Sequence, residues 1–285
     1  MTAQLLDGEN VAAQIRAGLA DRVAVLVDRG VTPGLGTILV GDDGASARYV
    51  AMKHQDCAEI GIRSFHAHLS MDASQDDVLA TVEEFNADPS IDAYLLQYPF
   101  PAGFHYAKAL GTMNPAKDVD GLHPFNLGRL LMGESGPRPC TPVGIIELLA
   151  AYGIELAGRH VVVVGRGLTI GRPLAALLTL KEPRCNAAVT VVHTGVSDPG
   201  FFTRQADVVV AAAGSPGLIQ PDMVKPGAVV VGAGVSFEGK KLLSDVAAEV
   251  AEVASWITPR IGGVGPMTRA ILLRNCVEAA ERITP

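Results

Sequence analysis

Apolar positions change their spacing along the chain, and the changes mark its elements. In residues 9 to 29, Val11, Ile15, Leu19, Val23 and Leu26 recur every three or four positions, a helical stripe that Gly30 can stop. GLGTILVG (34 to 41) is a continuous apolar run and predicts a buried strand. Residues 45 to 60 predict a helix closed by Gly61, and IRSFHAHL (62 to 69) a second strand. Ser74 and Asp77 form a capping-box pattern at the start of the next helix. IDAYLLQ (91 to 97) predicts a third strand. Strands alternating with helices imply a parallel sheet wrapped by helices.

YPFPAG (98 to 103) and PAKDVDG (115 to 121) interrupt this series as loops. Thr141 can cap a helix with Pro142 at its first position, and that helix is expected to connect two domains. A second α/β series follows: HVVVVG (160 to 165), a helix from residue 171, AVTVVH (188 to 193), DVVVAA (207 to 212) and AVVVG (228 to 232). MTRAILLRNCVEAAERI (267 to 283) predicts a long helix that returns to the first domain. No repeat or low-complexity tract is visible.

Composition narrows the class. At 285 residues, 48% hydrophobic and 19% charged, the chain suits two packed domains. A net charge of -7 disfavours non-specific binding to nucleic acid or an anionic membrane. No basic segment followed by an apolar run opens the sequence, and VVVV (161 to 164) and VVVAAA (208 to 213) are too short to span a bilayer. Cys57, Cys140, Cys185 and Cys276 form no CxxC pair, as expected of reduced cytoplasmic thiols, and the histidines form no HExxH pair, so no metal site is expected.

The strand VVVV runs into GRGLTIG (165 to 171), then Arg172, Pro173 and an apolar helix. Strand, glycine turn and helix start are the context of a dinucleotide site. Glycines let the backbone approach a pyrophosphate, and the helix N-terminus offers it free N–H groups. The spacing GxGxxxG is one residue longer than the common fingerprint. A carboxylate for a ribose 2′-hydroxyl is missing after the next strand, which ends in His193 and Thr194, while Arg166 lies in the loop. A cation without a competing carboxylate favours a 2′-phosphate, hence NADP.

The first domain must then serve the substrate. YVAMK (49 to 53) puts Tyr49 and Lys53 one helical turn apart on one face. Gln97 ends a strand, Asp118 and Asp120 lie beside Gly121, and GGVGPMT (262 to 268) precedes the last helix. Taken singly, each also reads as a solvated face, a satisfied strand end, a turn or a loop. Short-chain dehydrogenases also carry YxxxK, but after their glycine motif, whereas here the order is reversed.

Together, YVAMK, QYPFP (97 to 101), PAKDVDG, PCTPVG (139 to 144), VVVVGRGLTIGRP (161 to 173), KPGAVVV (225 to 231) and GGVGPMT resemble the bifunctional methylenetetrahydrofolate dehydrogenase/cyclohydrolase family, in family order and over nearly the whole chain. The resemblance implies an α/β protein of two domains: an N-terminal three-layer α/β substrate domain (1–140, joined by the helix 268–285) and a C-terminal Rossmann-type NADP-binding domain (141–267), with a cleft between them. It implies a cytoplasmic homodimer of one-carbon metabolism that oxidises 5,10-methylenetetrahydrofolate with NADP and hydrolyses the product to 10-formyltetrahydrofolate. Lys53 matches the catalytic lysine, Tyr49 would lie on the folate ring, Gln97 would orient Lys53, and Asp120 would bind the pterin. Gly262, Gly263 and Pro266 would line the substrate side; Gly165, Arg166, Gly167, Ile170, Thr194 and Val235 would line the cofactor side.

Departures fall mostly on the cofactor side. Gly167 replaces a usual serine, Ile170 a valine, Gly195 a basic residue, Gly232 an aspartate and Ile261 a proline; QYPFP carries aromatics in place of leucines. A shikimate-dehydrogenase-like oxidoreductase shares the substrate-domain-first order, and a nucleotide-binding module without turnover is the non-enzymatic alternative.

Overall fold

A computed structural model describes residues 2–239 and 241–283. In chain order its elements are β1 (Gln4–Leu5), α1 (Gly8–Asp28), β2 (Gly34–Val40), α2 (Gly44–Ile60), β3 (Arg63–Leu69), α3 (Gln75–Ala87), β4 (Ala93–Leu96), α4 (Tyr106–Thr112), α5 (Pro124–Met132), α6 (Cys140–Ala151), β5 (His160–Val164), α7 (Gly171–Leu178), β6 (Ala188–Val192), α8 (Pro199–Thr203), β7 (Val208–Ala211), β8 (Val229–Gly232), β9 (Val235–Glu238), β10 (Lys241–Ser244), β11 (Trp256–Ile257) and α9 (Val264–Ile283). They form two compact units: Gln14–Cys140 with the chain from Arg269 onward, and the chain up to Ala13 with Thr141–Thr268.

The first unit holds a parallel sheet in the order β3-β2-β4. The central strand β2 is buried at every position, which is why its sequence shows no alternation. Gly36 is required there: a Cβ would stand 2.8 Å from the Phe85 ring and from the Tyr94 Cβ. Ile38, Val40, Val78, Val82, Tyr94 and Leu96 form the core on one sheet face. The capping box at α3 is present, with the Ser74 hydroxyl accepting from Asp77 N at 3.1 Å and the Asp77 carboxylate accepting from Ser74 N at 2.8 Å.

The second unit holds a six-stranded parallel sheet in the order β1-β11-β8-β7-β5-β6. Val162, Val164, Val209, Ala211 and Val230 pack in its core. Its strands end together on the edge that carries the glycine loop, the ligand-binding edge of open α/β sheets.

Three sequence expectations need correction. Residues up to Ala13 lie with the second α/β series, not in a domain of 1–140, because Gln4 and Leu5 pair with Trp256 and Ile257. Thr141 is not a helix cap: α6 already begins at Cys140, and the Thr141 hydroxyl accepts from Thr268 Oγ1 at 3.0 Å. The final helix starts at Val264 rather than 267, so Pro266 lies in its first turn, where a missing N–H costs little. The structure adds the hairpin β9–β10 and the short strand β11.

Candidate active site

The helix carrying YVAMK is held at both ends. Asp43 caps α2 by accepting from Ser46 N at 2.8 Å, and Gly61, at φ 82°, closes it with its N–H on Cys57 O. Between the caps, Tyr49 and Lys53 share a face. Lys53 is 4% exposed, and its Nζ donates to Gln97 Oε1 at 3.0 Å and lies 4.9 Å from the centre of the Tyr49 ring. Gln97 follows β4, and its Nε2 donates to Tyr98 O at 3.0 Å, which fixes the amide with its oxygen towards the amine.

Burial lowers the Lys53 pKa below the ordinary lysine value, with the Asp120 charge as the largest opposing influence and the Arg269 charge acting with burial. The Tyr49 phenol is pushed well above its usual range, first by burial, so it stays neutral.

Asp120 is presented by a turn that its neighbour builds. Asp118 is buried and accepts from Gly121 N at 3.0 Å, His123 N at 2.8 Å and Asn126 Nδ2 at 2.9 Å. Gly121 sits at φ 68° and its missing Cβ would stand 2.3 Å from the Arg138 carbonyl carbon. Asp120 is thereby left with a half-buried carboxylate whose charge reaches Lys53 and Tyr49. Tyr49, Lys53, Gln97 and Asp120 are thus brought together within one unit.

Sequence reasoning missed two residues there. Arg269, on α9, donates from Nε to Asp56 Oδ2 at 2.6 Å, a nearly buried pair. Asp56 lies three residues after Lys53 on the same helix, and Arg269 occupies the carboxylate that would otherwise be the nearest counter-charge on that helix. Pairing residues 213 positions apart leaves no local pattern in the sequence.

In the other unit, Gly165 sits at φ 124°, and a Cβ there would stand 2.1 Å from Ala212 O. A Cβ on Gly171 would meet Gly165 O at 2.3 Å, while one on Gly167 would meet nothing within 4 Å. Two glycines therefore allow close packing, and the third leaves open room on the loop. No side chain caps α7, which starts at Gly171 after Ile170. The strand, cradle and uncapped helix start fit a dinucleotide pyrophosphate.

Arg166 is exposed, and its Nη1 lies 3.3 Å from His193 Nε2, while His193 Nδ1 accepts from Gly195 N at 3.1 Å. Thr194 and Val235 are exposed, and Gly262 (φ 83°), Gly263 and Pro266 also belong to this unit, not to the one holding Lys53. Gly263 is packed against the chain start, where a Cβ on Gly8 would meet Gly263 O at 1.8 Å.

Comparison with known proteins decides the family. The profile of the tetrahydrofolate dehydrogenase/cyclohydrolase catalytic domain matches residues 6–120, and that of the family's NAD(P)-binding domain matches residues 139–284. The chain belongs to the tetrahydrofolate dehydrogenase/cyclohydrolase family. It is 59% identical to the bifunctional protein FolD of Syntrophotalea carbinolica over 99% of this chain and 97% of the relative. Among solved structures, the FolD dehydrogenase/cyclohydrolase of Campylobacter jejuni superposes with a TM-score of 0.94 at 40% identity, covering 99% of both chains. The dehydrogenase-cyclohydrolase (FolD) of Trypanosoma brucei, complexed with NADP and an inhibitor, gives 0.93 at 36% identity, again over 99% of both. A shikimate dehydrogenase of Thermus thermophilus reaches 0.53 at 15% identity over 87% of this chain and 99% of its own, a likeness of fold alone. This tetrahydrofolate dehydrogenase/cyclohydrolase therefore pairs a catalytic α/β domain with an NAD(P)-binding one.

Proposed function

We propose that the chain oxidises 5,10-methylenetetrahydrofolate to the 5,10-methenyl form with NADP and then hydrolyses that product to 10-formyltetrahydrofolate. The observation that carries the reading is the buried Lys53 amine, held by an amide oxygen and lying over a neutral tyrosine ring.

Gly165, Arg166, Gly167, Ile170, Thr194 and Val235 would hold the dinucleotide, with Arg166 meeting the 2′-phosphate. The chemistry it would supply when bound is a hydride acceptor for the methylene carbon. No base is needed for that step, and orientation supplies much of the rate. Asp120 accepts from the paired N–H donors of the pterin edge, a match for a carboxylate. Tyr49 offers its face to the folate ring.

Hydrolysis needs a proton acceptor. Water adds to the cationic methenyl carbon, Lys53 Nζ takes its proton, and opening of the five-membered ring leaves the formyl group on N10 and a proton on N5. A free lysine, with a pKa of about 10.4, is nearly all ammonium at neutral pH. Burial shifts Lys53 towards the free amine, and a cationic substrate shifts it further. Gln97 fixes the amine without supplying the charge that would hold it protonated.

The protein acts as a homodimer in the cytoplasm on this reading; among the described residues no helix is long and apolar enough to cross a membrane. The test is a paired spectroscopic assay, following methylenetetrahydrofolate oxidation by reduced-nicotinamide absorbance and methenyl hydrolysis by loss of the methenyl chromophore. Both activities are expected; absence of both contradicts the reading. Arg166→Ala should raise KM for NADP roughly 10-fold more than KM for NAD, as expected when a charged contact to phosphate is lost. Equal changes would mean Arg166 does not meet the phosphate.

A further inference from the structure

One carboxylate at the ligand-binding edge of the six-stranded sheet has no part in the chemistry above. Asp245, directly after β10, has no exposed surface. Its Oδ2 accepts from Ala213 N at 2.7 Å and Gly214 N at 2.9 Å, the backbone leaving β7. Its Oδ1 is buried with no hydrogen-bond partner among the described residues. An unpaired buried lone pair is costly, and surrounding structure must hold the group in place.

That structure is visible. Gly234 approaches so closely that a Cβ there would stand 1.9 Å from Oδ2. Ala233 N and Gly234 N both donate to Ala211 O at 2.8 Å, and Asp245 N donates to Gly234 O at 3.3 Å. Ser236 Oγ donates to Gly214 O at 3.0 Å, tying the hairpin to the same loop. The backbone Asp245 grips continues directly from Ala212, whose carbonyl lies where a Gly165 Cβ would be. Three loops that follow β7, β8 and β10 thus meet on one carboxylate, and one of them sets how far the glycine loop can settle.

We propose that Asp245 is a positioning residue for the dinucleotide: its carboxylate fixes the 212–214 backbone, and through Ala212 O it fixes the cradle at Gly165. The inference rests on the reading of that loop as the NADP site. It differs from a general stabilising role in a specific way. The hydrolytic step uses Lys53, Gln97, Tyr49 and Asp120 and consumes no dinucleotide, so a positioning role separates the two activities, whereas loss of folding lowers both.

The experiment measures Kd for NADP by titration calorimetry, dehydrogenase KM and kcat, and the cyclohydrolase rate without dinucleotide, in the full-length protein. Asp245→Ala should raise Kd and KM for NADP about 10-fold, as expected when a binding backbone is displaced, with the cyclohydrolase rate within about 2-fold of wild type. Asp245→Asn keeps one acceptor oxygen and should recover most of the affinity, to within about 3-fold. Unchanged Kd in Asp245→Ala, or parallel loss of both activities, overturns the proposal. If that variant does not fold, Gly234→Ala reads the same split, because its methyl displaces the carboxylate: raised Kd for NADP supports the role and an unchanged Kd refutes it. Wild-type protein that binds NADP without turning over folate would refute the proposed function, and the Kd comparison would still decide the role of Asp245.

Discussion

Lys53 is placed where a lysine is least comfortable, and that discomfort is its use. Its charged form is disfavoured by burial, and its only close polar partner among the described residues is an amide oxygen. Two outcomes follow. Gln97→Glu supplies a counter-charge at the same distance, raises the amine pKa, and lowers cyclohydrolase activity at neutral pH roughly 10-fold; the acid limb of the pH–rate profile moves to higher pH. An unmoved limb would mean another group is the base. The second outcome concerns stability. A lysine with a lowered folded pKa binds its proton more tightly when unfolded, so its contribution to stability grows as pH rises from the folded pKa towards the unfolded value. Lys53→Met should therefore unfold at a higher temperature near neutral pH, by roughly 2–4 °C for about 1 kcal/mol, and the advantage should shrink as pH climbs towards 10.5. A lower unfolding temperature in calorimetry would contradict the burial argument.

At the scale of elements, the glycine loop carries the sharpest expectation. Gly165→Ala adds a methyl 2.1 Å from a backbone oxygen at φ 124°, where the neighbour is not a movable side chain. It should abolish measurable NADP binding and cost about 2 kcal/mol or more in denaturant unfolding; near-native affinity would show that the loop does not pack as described. Elements also differ in how legible they are. The buried runs GLGTILVG and VVVV, the capping box at Ser74 and the αL glycine Gly61 each state their role within a few residues, and the structure has each of them. The strands β1 and β11 have two residues each, so their pairing comes from sheet partners rather than from any pattern of their own. Thr141 fits a cap by its type and by the following proline, yet the helix begins a residue earlier.

For the whole molecule, the legible part is chemistry carried on motifs, and the illegible part is partnership. YVAMK, the strand-ending Gln97 and DVDG point to groups that the fold gathers within one unit. The Asp56–Arg269 pair and the grip of Asp245 join distant positions through single contacts, which leave no trace in local composition. Self-association belongs to this scale too: light scattering during size-exclusion chromatography should give a mass about twice that of the chain, and a monomer would refute the proposed dimer. Hydrolysis as proposed depends on the free amine at position 53. Its most direct test is the cyclohydrolase rate of Lys53→Met, measured beside Kd for NADP and the circular dichroism spectrum. Loss of hydrolysis by at least about 100-fold, the scale of general-base catalysis, with NADP affinity and fold retained, is the predicted result. Hydrolysis at the wild-type rate in a folded, NADP-binding variant would contradict it.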